Sequence, residues 1–314
     1  MIVPVIYPSA GEFWLNSNSD TFLNRRLAFS DLPDKYRFTV TSKISSEVAG
    51  ILGLSLPLYL TAPEDRFKRR CSSCVINSRT LPFPPESFLH ISRGKYDIYI
   101  ARPELCFLQA ARYLDLIDLI RFGYDLCSIY SLKSSAEQSS RNSPTTIKQL
   151  KEYVLSNHSF YGASKATAAL RYVRERSNSP METKLAIFSV LPPRYGGCGI
   201  SHFELNKEIA LTSNGKRLVG YACIHGDLVF NRGNIVVEYN SKLYHLDPDH
   251  YTDDMNRQTA LKMAGYKYIA ITAGNVKTYH SLINIMNAIR AELSLPMLDE
   301  PNDARTELYF RLFK

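Results

Sequence analysis

YACIHGDLVFNRGNIVVEYNSKLYHLDPDHYTDDMNRQTALKMAGYKYIAIT, residues 221–272, is the stretch whose reading decides the fold of this chain. Two apolar runs, 222–230 and 235–239, flank Asn231-Arg232-Gly233-Asn234. That polar, glycine-bearing segment is a turn signal, and the runs beside it predict the arms of a β-hairpin. A symmetric even-length loop centred between Arg232 and Gly233 sets Asp227 directly opposite Glu238. Opposed carboxylates repel by some tenths of a kcal/mol in a sheet, whereas a divalent cation between them turns that repulsion into attraction. Strand alternation puts Val236, Glu238, Asn240 and Lys242 on one face, with Ile235, Val237 and Tyr239 on the other.

Working outward, 246–253 reads as a polar loop and 254–264 as a helix stopped at Gly265. Residues 266–272 form an apolar run suited to a buried, parallel strand. The segment 279–293 predicts a helix with Leu282, Ile283, Met286, Ile289 and Leu293 on one face. Upstream, 201–211 carries a short pairing segment, His202-Phe203-Glu204-Leu205-Asn206. Before it, Ser179-Pro180-Met181-Glu182 opens another helix: serine with glutamate three residues on is a capping box, and proline suits the first helical turn. The order helix, hairpin, helix, strand, helix predicts an α/β unit in which helices cover a mixed sheet.

Asp227, Glu238-x-Asn240, His245, Asp254-x-x-Arg257, Ala260-Leu261 and Gly265-Tyr266, with Ser179-Pro180-Met181-Glu182 upstream, form an ordered set. It resembles the PD-(D/E)XK, or restriction-endonuclease-like, superfamily, and within it the branch related to very-short-patch repair endonucleases. The resemblance covers the last half of the chain. It implies a metal-dependent DNA endonuclease in which Asp227 and Glu238 ligate Mg²⁺, with Mn²⁺ as an alternative, and Glu182 stands near the metal. Such a metal orients water and acts as a Lewis acid on the attacked phosphate. One departure matters. The family has lysine two residues after the second acid, and the nearest branch often aspartate, where this chain has Asn240, which supplies no charge. Lys242, on the same face, or His245, an acid–base group near neutral pH, would have to fill that role.

Each of these residues also has a local explanation. Glu182 can serve its helix cap, and His225 can bond across the hairpin to Asn240. His245 can be a structural polar contact. Asp254 and Arg257 can be an exposed ion pair, or Arg257 can hold a phosphate or a site carboxylate.

Residues 1–132 mix short elements and predict a smaller α+β domain, with a winged-helix-like unit as one form of it. Strands are expected at 37–40, 56–60, 74–77, 87–91 and 96–101, with helices at 44–54, 103–112 and 114–128. Ile44, Val48, Ile51 and Leu52 mark the inner face of the first helix. The run Arg66-Phe67-Lys68-Arg69-Arg70 reads either as phosphate contacts, which position a protein on DNA without reading sequence, or as a solvated loop balanced by Glu64 and Asp65. This region also resembles the DNA-binding part of abortive-infection antitoxins, which would tie the chain to phage defence. Residues 133–145, KSSAEQSSRNSPT, read as a linker. Beyond them, helices at 146–155 and 164–175 begin the nuclease-like domain, 146–314.

The 314 residues carry a formal net charge of +8, a basic bias compatible with a polyanionic partner. No apolar run reaches membrane-span length, and prolines 4 and 8 with no basic leader argue against a signal peptide. Of six cysteines, only Cys71 and Cys74 are closely spaced; a zinc site would want a second pair. Reduced thiols in the cytoplasm are expected. The sequence thus points to a Mg²⁺-dependent DNA endonuclease or to a non-catalytic, antitoxin-like DNA-binding regulator. It leaves open a homodimer or a partner protein.

Overall fold

The computed structural model describes residues 1–16, 19–23, 28–78, 82–131, 141–240, 248–299 and 302–314. They divide by internal packing into two compact units, Met1–Val173 and Arg174–Lys314. The first contains strands β1 (Ile2–Val5), β2 (Phe29–Ser30), β3 (Leu58–Ala62), β4 (Arg69–Arg70), β5 (Cys74–Ser78), β6 (Phe88–Arg93) and β7 (Tyr96–Ala101). Its helices are α1 (Ser9–Leu15), α2 (Asp20–Leu23), α3 (Ser42–Leu52), α4 (Pro103–Ala110), α5 (Leu116–Leu126), α6 (Ile147–Ser156) and α7 (Ala163–Ala169).

These strands make one seven-stranded mixed sheet in the order β2-β6-β7-β1-β3-β5-β4, in place of the expected winged-helix-like form. β1 runs parallel to β7 and antiparallel to β3, and β3 runs parallel to β5. Pairing Ile2 with Asp97 joins segments far apart in sequence, which no local pattern reveals. The strand expected at 37–40 does not form: Phe38 packs its ring 5.3 Å from Phe67, and the Val40 carbonyl accepts from Arg69 Nη2 at 2.6 Å. α3 starts at Ser42 because Thr41 Oγ1 accepts the Ile44 N–H, and it stops at Gly53, whose φ of +64° lies in the left-handed region. Its buried face is Ser45, Val48, Ala49 and Leu52, while Ile51 is exposed. α6 and α7, which the sequence reading assigns beyond the linker, lie in this first unit. Tyr153 of α6 hydrogen-bonds Ser87 at 2.7 Å, and Leu150, Val154, Ala166 and Ala169 are buried. Of the linker itself, residues 133–140 lie outside the described residues.

The second unit contains strands β8 (Glu204–Ala210), β9 (Cys223–Phe230), β10 (Ile235–Asn240) and β11 (Lys267–Thr272). Its helices are α8 (Pro180–Val190), α9 (Ser213–Val219), α10 (Pro248–Met263), α11 (Ala273–Lys277), α12 (Tyr279–Glu292) and α13 (Asp303–Phe313). The sheet order is β11-β10-β9-β8, with β9 antiparallel to both neighbours and β11 parallel to β10. The hairpin has the expected register, Phe230↔Ile235, Val229↔Val236 and Leu228↔Val237. Both Val236 and Val237 are buried, so β10 is covered on its two faces. On one side Val236, Val229, Ile224 and Ile209 pack with Ala260 and Leu261 of α10. Helices α8, α12 and α13 pack together through Ser189 on Met286 and Phe188 on Phe313.

α10 begins at Pro248, where 246–253 reads as a loop from sequence. Proline is favoured in a first helical turn, and the polar residues 249–254 concealed that start from an apolar-period criterion. The helix ends as expected at Gly265, φ +85°, with the Tyr266 N–H bonded to the Leu261 carbonyl at 3.0 Å. Among the described residues no helix is long and apolar enough to cross a membrane.

Candidate functional site

The hairpin register carries Asp227 to the place opposite Glu238, and there regular pairing ends. The last paired residues are Leu228 and Val237, and the next outward N–H, that of Tyr239, donates to Asp227 Oδ2 at 2.8 Å. A carboxylate thus takes over a backbone donor that would otherwise need a ladder partner. Two backbone features fit Asp227 into this place. Gly226 precedes it, and a Cβ there would stand 2.8 Å from both Val229 Cγ2 and Val236 Cγ1. On the other side, the β8–β9 register passes from Leu205↔Leu228 to Lys207↔Gly226, and Asn206 between them adopts φ +48°. Asparagine tolerates that left-handed conformation better than most residues. It interrupts the regular strand where β8 passes Asp227.

Glu238, 6% exposed, lies on the β10 face that looks toward α10. One helical turn before Leu261, Arg257 reaches it with two nitrogens: Nη2 at 2.6 Å from Oε1 and Nε at 3.1 and 3.2 Å from the two oxygens. Arg257 Nη2 also donates to the His225 carbonyl at 2.6 Å. Burial works against the guanidinium charge, yet Glu238, with Tyr221 adding to it, raises the Arg257 pKa overall. Arg257 therefore holds a site carboxylate, one of the two roles the sequence allows it. On β11, the Tyr268 hydroxyl donates to Glu238 Oε2 and receives Asn240 Nδ2, both at 3.4 Å. Burial, then the Glu238 charge, push the Tyr268 phenol pKa up.

Glu182, 5% exposed, sits in the first turn of α8. Its N–H donates to Ser179 Oγ at 3.2 Å, and its Oε2 accepts the Asn178 N–H at 2.8 Å. The capping role is thus real, reaching one residue before the cap. The same carboxylate also feels the hairpin acids. Burial first, then the Asp227 charge, raise the Glu182 pKa, with a smaller push from Glu238. Asp227 is raised chiefly by burial and further by Glu238, while the Tyr239 N–H and Arg257 pull it down. Glu182, Asp227 and Glu238 therefore form one electrostatic cluster of three acids, in which Arg257 is the cation that bonds Glu238. Among the described residues no group of three or more His, Cys, Asp or Glu side chains converges to hold a metal ion.

The other expected residues are distributed differently. His225 turns to β8, where it pairs with Glu208 in register and approaches it with Nε2 at 3.7 Å; the expected cross-hairpin bond to Asn240 is replaced by this one. Lys242 and His245 lie outside the described residues. In the first unit the basic run is exposed, with Arg66 bonded to Glu64 at 2.9 Å and Lys68 to Asp65 at 2.8 Å. Arg69 and Arg70 form the edge strand β4, where charge discourages edge-to-edge pairing. Tyr268, Asn206 and Gly226 were not singled out from sequence. None left a local signal: Tyr268 reaches the Glu238 face through the parallel pairing of Val236 with Tyr268, a register set between separate segments. The chain matches no family model, no curated protein and no solved structure.

Proposed function

We propose that Arg174–Lys314 is a restriction-endonuclease-like unit that hydrolyses DNA phosphodiester bonds with a divalent metal. The observation that carries this reading is the cluster of Glu182, Asp227 and Glu238, with one bonded guanidinium and two acids whose proton affinity is raised by burial and by their neighbours. The order α8, then the β8-β9-β10 meander, then α10, then β11 parallel to β10 supports the fold part of the proposal.

The donor set suits Mg²⁺ in number and kind, since that ion is commonly held by one or two carboxylates and several waters. Asp227 and Glu238 would hold it, and Glu182, whose proton affinity is raised by burial and by Asp227, would stand beside them to hold a metal-bound water. When bound, the ion would supply Lewis-acid activation of the phosphate and of a water. The chain's own residues do the rest. Asp227 is oriented by the Tyr239 N–H, Glu238 is held against α10 by Arg257, and Tyr268 with Asn240 contributes neutral hydrogen-bonding groups at the rim. Arg66, Lys68, Arg69 and Arg70 would contact phosphates elsewhere on the DNA.

The test is incubation of the purified chain with duplex, nicked and single-stranded DNA in Mg²⁺, Mn²⁺ or EDTA. Cleavage that needs metal and is lost in Asp227→Ala and Glu238→Ala is expected. Cutting in EDTA, or cutting that survives both variants, refutes the assignment. A second reading rests on two observations: Asn240 stands where the family has a charged residue, and Glu238 is already neutralised by Arg257. The unit would then be a non-catalytic DNA-binding regulator. Salt-sensitive binding in EDTA with no cleavage of any substrate, and activity gained in Asn240→Lys, would favour it.

A further inference from the structure

In the first unit, β4 and β5 pair antiparallel as Arg69↔Ile76 and Arg70↔Val75. The same register continued sets Cys71 directly opposite Cys74 across the two-residue turn Ser72-Ser73. The Cys71 N–H bonds to the Cys74 carbonyl at 2.9 Å. Opposed hydrogen-bonded residues in an antiparallel pair stand about 5.5 Å apart at Cα, inside the roughly 4.4–6.8 Å that a disulfide spans. The two sulfurs are 3.5 Å apart, already in contact. Their surroundings differ. Cys71 is exposed and Cys74 is fully buried at the start of β5.

We propose that Cys71 and Cys74 are a reversible dithiol–disulfide couple that exchanges with low-molecular-weight aliphatic disulfides, Cys71 being the entry thiol. The inference is independent of the reading of the second unit. The exposed Cys71 thiolate attacks one sulfur of the small disulfide. That S–S bond breaks, and one thiolate leaves with the electron pair and takes up a proton. Cys74 then loses its proton, attacks Cys71 Sγ and expels the second small thiolate, which is protonated in turn. The protein gains one S–S bond and loses two protons and two electrons; one small disulfide becomes two thiols. The product closes covalently the hairpin that carries Arg69 and Arg70, so the basic edge strand becomes redox-dependent in its rigidity.

The roles follow from hydrogen bonding. Cys71 Sγ has Ser73 Oγ at 3.3 Å, and that hydroxyl, followed by the Ser73 and Cys74 amides and the Cys74 thiol, brings its pKa down to about 6. At pH 7 this raises the thiolate fraction about thirtyfold over an ordinary cysteine, while the lower basicity reduces nucleophilicity about tenfold. The net chemical advantage is about threefold, so access and the adjacent resolving thiol set the selectivity.

The experiment treats the full chain with oxidised glutathione over a range of oxidised-to-reduced ratios, quenches with acid, alkylates and maps peptides by mass. Expected is joint loss of alkylation at Cys71 and Cys74, restored by dithiothreitol, with initial exchange at Cys71 about threefold faster than for a free cysteine peptide at pH 7. Cys74→Ser or Cys74→Ala should trap one glutathionyl group on Cys71, and Cys71→Ser should leave Cys74 unreactive. The proposal is overturned if both thiols of the unsubstituted chain stay alkylatable, if its Cys71 adduct persists without resolving, or if Cys74 reacts as fast in Cys71→Ser. Circular dichroism of each variant separates loss of the couple from loss of the fold, and the readout on the unsubstituted chain stands without any variant.

Discussion

Replacing Arg257 by Met is the sharpest probe of the acidic cluster. The substitution keeps much of the aliphatic stem but removes every donor to Glu238, whose side chain is 8% exposed against 28% for Arg257. Breaking a buried pair from one side costs about 3–5 kcal/mol. Partial exposure of Arg257, and the Tyr268 hydroxyl that stays beside Glu238, place the expected loss near 3 kcal/mol. In Glu238→Gln with Arg257→Met, no charge is left stranded, and the loss should fall below the sum of the single losses by about 1–3 kcal/mol. Urea denaturation followed by circular dichroism measures all four members of the cycle. If Arg257→Met costs under about 1 kcal/mol, or the cycle shows no coupling, Arg257 is not the counter-charge of the cluster. Mg²⁺ adds a second readout. It should stabilise Arg257→Met more than the unsubstituted chain, because the metal then meets no competing cation at Glu238.

Glu182 and Asp227 bind their protons more tightly in the fold than in the unfolded chain. Over the window from the unfolded carboxylate range, about pH 4, up to their raised values, the native state therefore binds more protons and stability falls as pH rises. Urea midpoints from about pH 4 to 8 should show that decline, flattened in Glu182→Gln with Asp227→Asn; an unchanged slope in the variant would refute the linkage. Gly226→Ala forces a Cβ to within 2.8 Å of two β-branched side chains and should cost about 1–3 kcal/mol, read from the same denaturation curves. Ser179→Ala deletes the acceptor of the Glu182 N–H and should cost about 1 kcal/mol, with faster amide exchange confined to the first turn of α8.

The hairpin was legible because its information is local. Asn231-Arg232-Gly233-Asn234 fixes the turn, strand alternation fixes the faces, and Asp227 with Glu238 follow from both. The cap at Ser179 and the stop at Gly265 are local in the same sense, since each satisfies backbone groups within one helical turn. What tertiary structure decided is everything that depends on which distant segments meet. The pairing of β1 with β7, the packing of α6 and α7 in the first unit, and the pairing of Arg257 with Glu238 are outcomes of long-range burial. Periodicity in a single segment cannot encode them, because an apolar face specifies only that it be covered and a buried charge only that it be paired. The partner is set by the packing of the whole unit.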